Sequence, residues 1–301
     1  MKKNKIALLL VTLSAFFWGS NFNVGAQAVT VISPLTAASE RFIIATLIIF
    51  IFMIIKDKDN IITFKLNWFP FILLGLCGIT GFNLAFFIGL QTTSPINGAL
   101  IMATSPVTTA LIALIANKHH ISFSQGVGMF ISLIGVAFVI SNGDINNIMK
   151  LRFNYGDIII LSGNIVWAIY TIGCRKFISH STPLQTTSFT MLFGTLGIVI
   201  FSIYQGTLVK EIADITLYHH IILIYMAIFG SVLAYLFWNV GVKQLGTANT
   251  SIFFNLVPVF TMLLTLITGL IPDLLQLIGA ILVISGVIYA TGGYKIFKMN
   301  N

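Results

Sequence analysis

The sequence predicts an all-α membrane protein, with ten transmembrane helices arranged as two inverted five-helix repeats. Three observations predict it. The 301-residue chain is 57% hydrophobic and only 8% charged, with a mean hydropathy of +0.99, whereas soluble domains carry about 25% charged residues. Such a chain cannot cover a water-facing surface. Its apolar residues form continuous runs of about 20, which cross a core of about 30 Å at about 1.5 Å per residue. A transmembrane barrel would alternate apolar and polar residues over segments of about ten. The third observation is that the second half of the chain repeats the first.

The spans run over residues 6–28, 34–55, 68–90, 94–116, 124–141, 156–176, 183–205, 221–243, 247–270 and 274–294. Span 1 follows the basic start MKKNK and looks like a signal peptide. No small-residue cleavage site follows it, and nine more spans do, so it is retained as a helix. Span 2 opens at Pro34 and carries Glu40 and Arg41 inside SPLTAASERFIIATLIIFIFMII. In span 3, Gly75, Gly78 and Gly81 form a strip for close helix packing. Spans 4 and 9 carry Pro106 and Pro258, each of which breaks a backbone hydrogen bond and is read as a gating kink. Spans 5 and 10 carry Gly128/Gly135 and Gly279/Gly286, again packing surfaces. Gly126 and Gly128 lie in an apolar span with no strand before them, so they are not a nucleotide loop. Cys77 and Cys174 fall inside spans 3 and 6 and read as small packing residues rather than a disulfide or metal site.

The net charge of +8 is distributed as an orientation signal, not as a nucleic-acid patch. With a cytoplasmic N-terminus, the inside holds most of the basic residues, from Lys2, Lys3 and Lys5 to Lys295 and Lys298. The outside holds only Lys150, Arg152 and Lys210, with Arg41 in the membrane. Basic residues favour the cytoplasmic side. Both termini are then cytoplasmic, in an inner (plasma) membrane.

The repeat is gapless over long stretches. Trp18, Pro34 and Ser39 meet Trp167, Pro183 and Ser188 at an offset of 149. Gly78, Gly89, Asn97 and Pro106 meet Gly230, Gly241, Asn249 and Pro258 at 152, and Gly128 and Gly135 meet Gly279 and Gly286 at 151. The two repeats span residues 1–145 and 150–297. Five spans per repeat is an odd number, so the second enters the membrane in the opposite sense. Inverted repeats are an architecture of secondary transporters, which place solute near the midplane between the repeats.

The stretches WGSNF (18–22), SPLTAASERFIIA (33–45), ATSPVTTALIA (103–113) and NLVPVFTMLLT (255–265) resemble the EamA-type branch of the drug/metabolite transporter superfamily. The resemblance covers nearly the whole chain. It implies ten helices, a central cavity, alternating access and export of amino acids or related metabolites. Family members often end spans 4 and 9 with a Gly-Glu pair. Here those places read IANKHHIS (115–122) and LITGLIPDLLQ (266–276), so no role is carried over for that Glu.

Glu40 is the one acid well within a span. Desolvation makes it a candidate for proton coupling, and the alternatives are an ion pair with another helix or a turn toward external water. Neighbours one apart point about 100° apart, so Glu40 and Arg41 do not pair well with each other. Arg41 shares a face with Ala37, Ala38 and Ala45, which turns it into the bundle, to hold a solute carboxylate or to brace the fold. The five histidines fall at span ends, so no histidine relay is visible. The candidate solute contacts are aromatic and amide groups at helical spacing: Trp18 and Asn21, Trp167 and Tyr170, Asn83, Tyr235 with Trp238 and Asn239, and Asn255. Such a set suits an amphipathic organic solute better than an inorganic ion. The competing reading is an interfacial aromatic belt with amides joining helices.

The expectation is a secondary transporter, exporter or exchanger, of amino acids or similar small organic metabolites. The rivals are uptake or exchange of a cationic or nucleoside-like metabolite with Glu40 as counter-charge, and a non-transporting membrane scaffold. The chain carries no ATP-binding motif and no paired nucleophile and base at depth, so the expectation is a non-enzyme without cofactor or metal. Its partners would be the solute, the bilayer and a proton or counter-solute, and the protein a monomer or homodimer.

Overall fold

The computed structural model describes residues 2–28, 31–57, 59–93, 95–117, 121–141, 146, 149, 154–206, 208–269 and 271–291. All regular structure among them is helical. The helices are α1 (Lys2–Ala28), α2 (Pro34–Lys56), α3 (Asn60–Leu90), α4 (Pro95–Ala103), α5 (Ser105–Asn117), α6 (Phe123–Ile140), α7 (Tyr155–Lys176), α8 (Pro183–Tyr204), α9 (Leu208–Asp214), α10 (Leu217–Leu245), α11 (Thr247–Ile267) and α12 (Leu274–Ala290). Eight of these are long and apolar enough to cross a membrane, which makes this a multi-pass membrane protein. The sequence reading of ten differs at two places. Span 4 is divided into α4 and α5, and α12 is a 17-residue helix. Lys58, Lys118, His119, His120, Asp144, Lys150, Arg152, Lys295 and Lys298 lie outside the described residues, as do the side chains of Lys2, Lys3, Asn97 and Lys210.

Local chemistry sets these boundaries. Ser33 and Thr182 cap α2 and α8, each followed by Pro at the first helical position, where a missing N–H costs nothing. Reciprocal capping boxes open α6 (Ser122, Gln125) and α12 (Asp273, Gln276), so the repeat offset of 151 extends to the caps. The break between α4 and α5 falls at Thr104, whose N–H bonds back only three residues to Ile101. Pro106 follows as the second residue of α5 and disfavours helical geometry just before it. Pro258 stands three residues after the 3₁₀ turn Phe253–Asn255 within α11. The two prolines thus mark matched interruptions. Span 3 begins eight residues earlier than read, at Asn60, because α3 tolerates non-helical φ/ψ at Asn67. That buried amide bonds Thr63 O and closes a two-way hydrogen-bond pair with the Ser179 backbone.

The halves meet through equivalent residues. Thr46 Oγ1 and Thr195 Oγ1, which share the 149 offset, hydrogen-bond at 2.7 Å. The rings of Trp18 and Trp167 lie 5.6 Å apart. Gly128 packs on Gly286 and Gly135 on Gly279, so α6 and α12 run antiparallel in their closest contact. When residue i meets j′ and j meets i′, the contact is that of a two-fold axis. Both α3 and α10 turn π-helical at corresponding places, Leu76–Gly81 and Met226–Leu233. In each, the glycine is covered by the first helix of the other repeat: Gly78 by the Tyr170 ring, Gly230 by the Asn21 amide. A π-helical turn frees backbone carbonyls and recurs at functional sites.

Candidate functional site

The centre of the bundle is an aromatic cluster built from α1, α7, α10 and α11. Trp18 contacts Trp167, Tyr235, Trp238 and Phe254 at centroid distances of 5.2–5.7 Å. Trp167 in turn contacts Phe82, Tyr170, Tyr235 and Trp238. Trp167, Tyr170, Tyr235 and Trp238 are each at most 3% exposed, so they are not an interfacial belt. Trp18, Phe82 and Phe254 are only partly buried. A surface groove of about 440 Å³ is lined by Asp59, Ile62, Thr63, Leu66 and His180.

Polar groups thread the cluster. Trp18 Nε1 donates to Gly230 O at 3.0 Å, a carbonyl of the π-helical stretch of α10. Trp238 Nε1 donates to Thr171 Oγ1 at 3.3 Å. Asn239 Nδ2 donates to Tyr170 Oη and Thr187 Oγ1, both at 3.0 Å. Asn83 Nδ2 donates to Ile79 O at 2.7 Å in the π-helical stretch of α3, and the side chain also lies beside the Tyr235 hydroxyl. Three buried atoms around the cluster have no hydrogen-bond partner: Trp167 Nε1, Asn239 Oδ1 and Asn21 Oδ1. A donor and two acceptors left open in an aromatic setting are the polar contacts an amphipathic solute uses for orientation.

The sequence candidates divide into three groups. Trp18, Trp167, Tyr170, Tyr235, Trp238 and Asn239 come together in the cluster, with Asn21 and Asn83 at its edge on the π-helical turns. Asn255 does not join them. Its Nδ2 donates to Ser132 Oγ at 2.9 Å, tying α11 to α6, while the neighbouring Phe254 supplies the ring. Arg41 sits with its guanidinium 4.4 Å from the centroid of Phe42 and within electrostatic reach of Tyr235. Glu40 is only 8% exposed and bonds His220 Nδ1 through Oε1 at 2.5 Å. Glu40 and Arg41 are therefore separately engaged. The histidine partner was not visible in the sequence, because His220 lies 180 residues away at the start of a span.

The comparisons with known proteins decide the family. The model of the EamA-like transporter family matches twice, over residues 5–141 and 154–292. The chain belongs to the EamA-like transporter family. A Bacillus subtilis protein named uncharacterized transporter YyaM is 40% identical over 300 residues, covering 100% of this chain and 98% of that one. An uncharacterized transporter of Archaeoglobus fulgidus is 24% identical, covering 94% of this chain and 96% of its own. A solved crystal structure superposes with a TM-score of 0.80 at 15% identity, covering 95% of this chain and 96% of that one, which shows the fold alone. This EamA-like chain is accordingly a membrane transporter with two family repeats.

Proposed function

We propose that this EamA-like protein is a ten-helix, inverted-repeat secondary transporter that moves amino acids or similar small organic metabolites by alternating access. In this reading α4 and α5 together form the fourth crossing and α12 the tenth. The repeats occupy 1–145 and 150–297 in an inner (plasma) membrane with both termini cytoplasmic. The protein works without cofactor or metal and is not an enzyme. It exports or exchanges its solute, as a monomer or homodimer.

One observation carries the reading. Trp18 and Trp167, equivalent in the two repeats, touch inside an aromatic cluster that leaves the Trp167 N–H and the Asn239 carbonyl unpaired. Solute sites of inverted-repeat transporters lie at such a repeat interface. Passage of a solute through the bundle requires its helices to part, and the interruptions at Thr104 and at Phe253–Asn255, beside Pro106 and Pro258, are the places where they flex. Arg41, beside Tyr235, holds an anionic group of the solute or the local fold. The rival in which Glu40 is the counter-charge of a cationic solute is less supported, because His220 already takes one oxygen of that carboxylate.

A thermal-shift screen of detergent-purified protein against amino acids, nucleosides and their derivatives tests the proposal. A ligand at 100 times its dissociation constant adds about 2.7 kcal/mol of stability. The expected result is one amphipathic solute class that stabilises the wild type but not Trp167→Ala or Asn239→Leu. A broad panel that stabilises nothing, with no solute flux in proteoliposomes, would sink the metabolite reading.

A further inference from the structure

The two ends of the bundle are built from different chemistry, although the repeat makes them counterparts. Near the end that the proposed orientation places outside, α2 and α10 are joined by Glu40 and His220. At offsets of 149 and 152 their counterparts are Phe189 and Trp68. There α8 meets α3 through the rings of Phe189, Phe71 and Phe64, at 4.8 and 5.3 Å, and through neutral polar bonds, Thr63 Oγ1 donating to Gln185 Oε1 and Gln185 Nε2 to Asn60 Oδ1. The outer contact thus holds an ionisable pair at positions where its counterpart has aromatic rings.

Other groups around the pair are already committed. The exception is Arg41, next on α2, which lies over Phe42 but keeps a buried Nε without a hydrogen-bond partner. On α9, Glu211 Oε2 accepts from Ser33 N and Oγ, and Asp214 is exposed. On α10, His219 Nδ1 bonds Thr216 Oγ1. The charged residues of α1 are Lys2, Lys3 and Lys5 at its opposite end, and neither α8 nor Phe82–Leu90 of α3 carries an acid, a base or a histidine. Glu40 Oε1 is taken by His220, whereas Oε2 is buried with no partner. The His220 side chain is 30% exposed and the Glu40 side chain 10%, so the imidazole stands between the carboxyl and water.

We propose that Glu40 Oε2 is the proton-accepting site of an outer latch, with His220 as its partner and its route to water. This rests on the transporter reading and deepens it by naming the coupling ion and its site. In the closed latch His220 is an imidazolium whose Nδ1–H is donated to the Glu40 carboxylate, an ion pair that holds α2 to α10. A second proton, arriving from outside water, binds Oε2. The carboxyl becomes neutral, the imidazolium keeps its charge, and the attraction that closes the outer end is lost. The inner counterpart, made of Phe64, Phe71 and Phe189, has no such response. Outside acid therefore opens the outer end, which couples inward proton movement to presentation of the solute site.

Spin labels test this without any solute. Val31 and Leu217 are exposed, on the α1–α2 link and at the start of α10. Both are replaced by Cys in a Cys77→Ala, Cys174→Ala background, and the distance distribution is measured in nanodiscs at about pH 5.5 and about pH 3.5, across the ordinary glutamate range and below that of histidine. The wild type is expected to show one short distance at the higher pH and an added longer component at the lower. In Glu40→Gln, which keeps the shape without the charge, the longer component is expected at both. His220→Gln is the second variant and should also lose the pH response. Exchanging the pair, Glu40→His with His220→Glu, should restore it. A wild-type distribution that ignores pH, or a Glu40→Gln protein that keeps the wild-type shift, overturns the latch. The readout also separates the two proposals. Motion in a protein that binds no metabolite supports the latch and refutes the substrate class, whereas metabolite binding without motion overturns the latch and leaves the substrate class intact.

Discussion

Adding one methyl group at Gly128 tests the closest contact between the repeats. An alanine Cβ there would stand 2.5 Å from Gly286 O and from Ala290 Cβ. Ordinary contact begins at 3.4 Å, so α6 and α12 must separate by about 0.9 Å or distort. A gap of that size forfeits a quarter to a half of the dispersion well for the contacts along the seam. Overpacking of this kind costs about 1–3 kcal/mol. Against it stands the helix propensity of Ala over Gly, about 0.8–1.0 kcal/mol.

Gly126, two residues earlier on the same helix, isolates the second effect because nothing lies within 4 Å of its added Cβ. Gly126→Ala is expected to raise the melting temperature in detergent, and Gly128→Ala to fall below it by the equivalent of about 1–3 kcal/mol. Gly286→Ala meets Gly128 O at 2.6 Å and should behave like Gly128→Ala. The double variant should cost less than the sum, since one separation makes room for both methyl groups. If Gly128→Ala melts as high as Gly126→Ala, the seam is not close-packed and the reasoning fails.

Other expectations follow from single contacts. Thr46→Val and Thr195→Val, combined in a double-mutant cycle, should show a coupling of about 0.6 kcal/mol, the average for interhelical hydrogen bonds in membranes; zero coupling would remove that bond from the axis. Burial raises the Glu211 carboxyl pKa, but bonds from Thr36, the Ser33 hydroxyl and the Ser33 N–H outweigh it and leave the group below its ordinary value of 4.5. Its contribution is then complete above about pH 4.5 and lost as pH falls toward the lowered value. Melting temperatures across that window should fall less steeply for Glu211→Gln than for the wild type, and parallel curves would refute the sign. Pro106→Ala and Pro258→Ala should each slow turnover in proteoliposomes if the interruptions in α4–α5 and α11 are gates. Unchanged turnover in both would leave these prolines as mere helix starts.

What the sequence made legible were equivalent positions, Trp18 with Trp167 and Gly128 with Gly279. That Trp18 touches Trp167, while Gly128 packs on Gly286, came from the structure. Glu40 was legible as an anomaly, but its partner was not. A bond across 180 residues leaves no periodic trace, and a histidine at a span end looks solvated. The same limit applies to Asn255. Its spacing places it with the aromatic candidates, yet in α11 the 3₁₀ turn Phe253–Asn255 precedes Pro258, and its amide reaches Ser132 on α6. Sequence spacing assumes 3.6 residues per turn, and this chain departs from that value at Asn67, in both π-helical stretches and around both prolines. Those departures are also where backbone carbonyls are given to side chains: Ile79 O to Asn83, Gly230 O to Trp18. The pseudo-symmetry then sharpens what remains open at the centre. Trp18 donates to the π-helical turn of the opposite repeat, while its counterpart Trp167 donates to nothing. Two halves with the same plan but unequal hydrogen bonding are two halves in different conformations. A transporter built from inverted repeats needs that inequality in order to face one side of the membrane at a time.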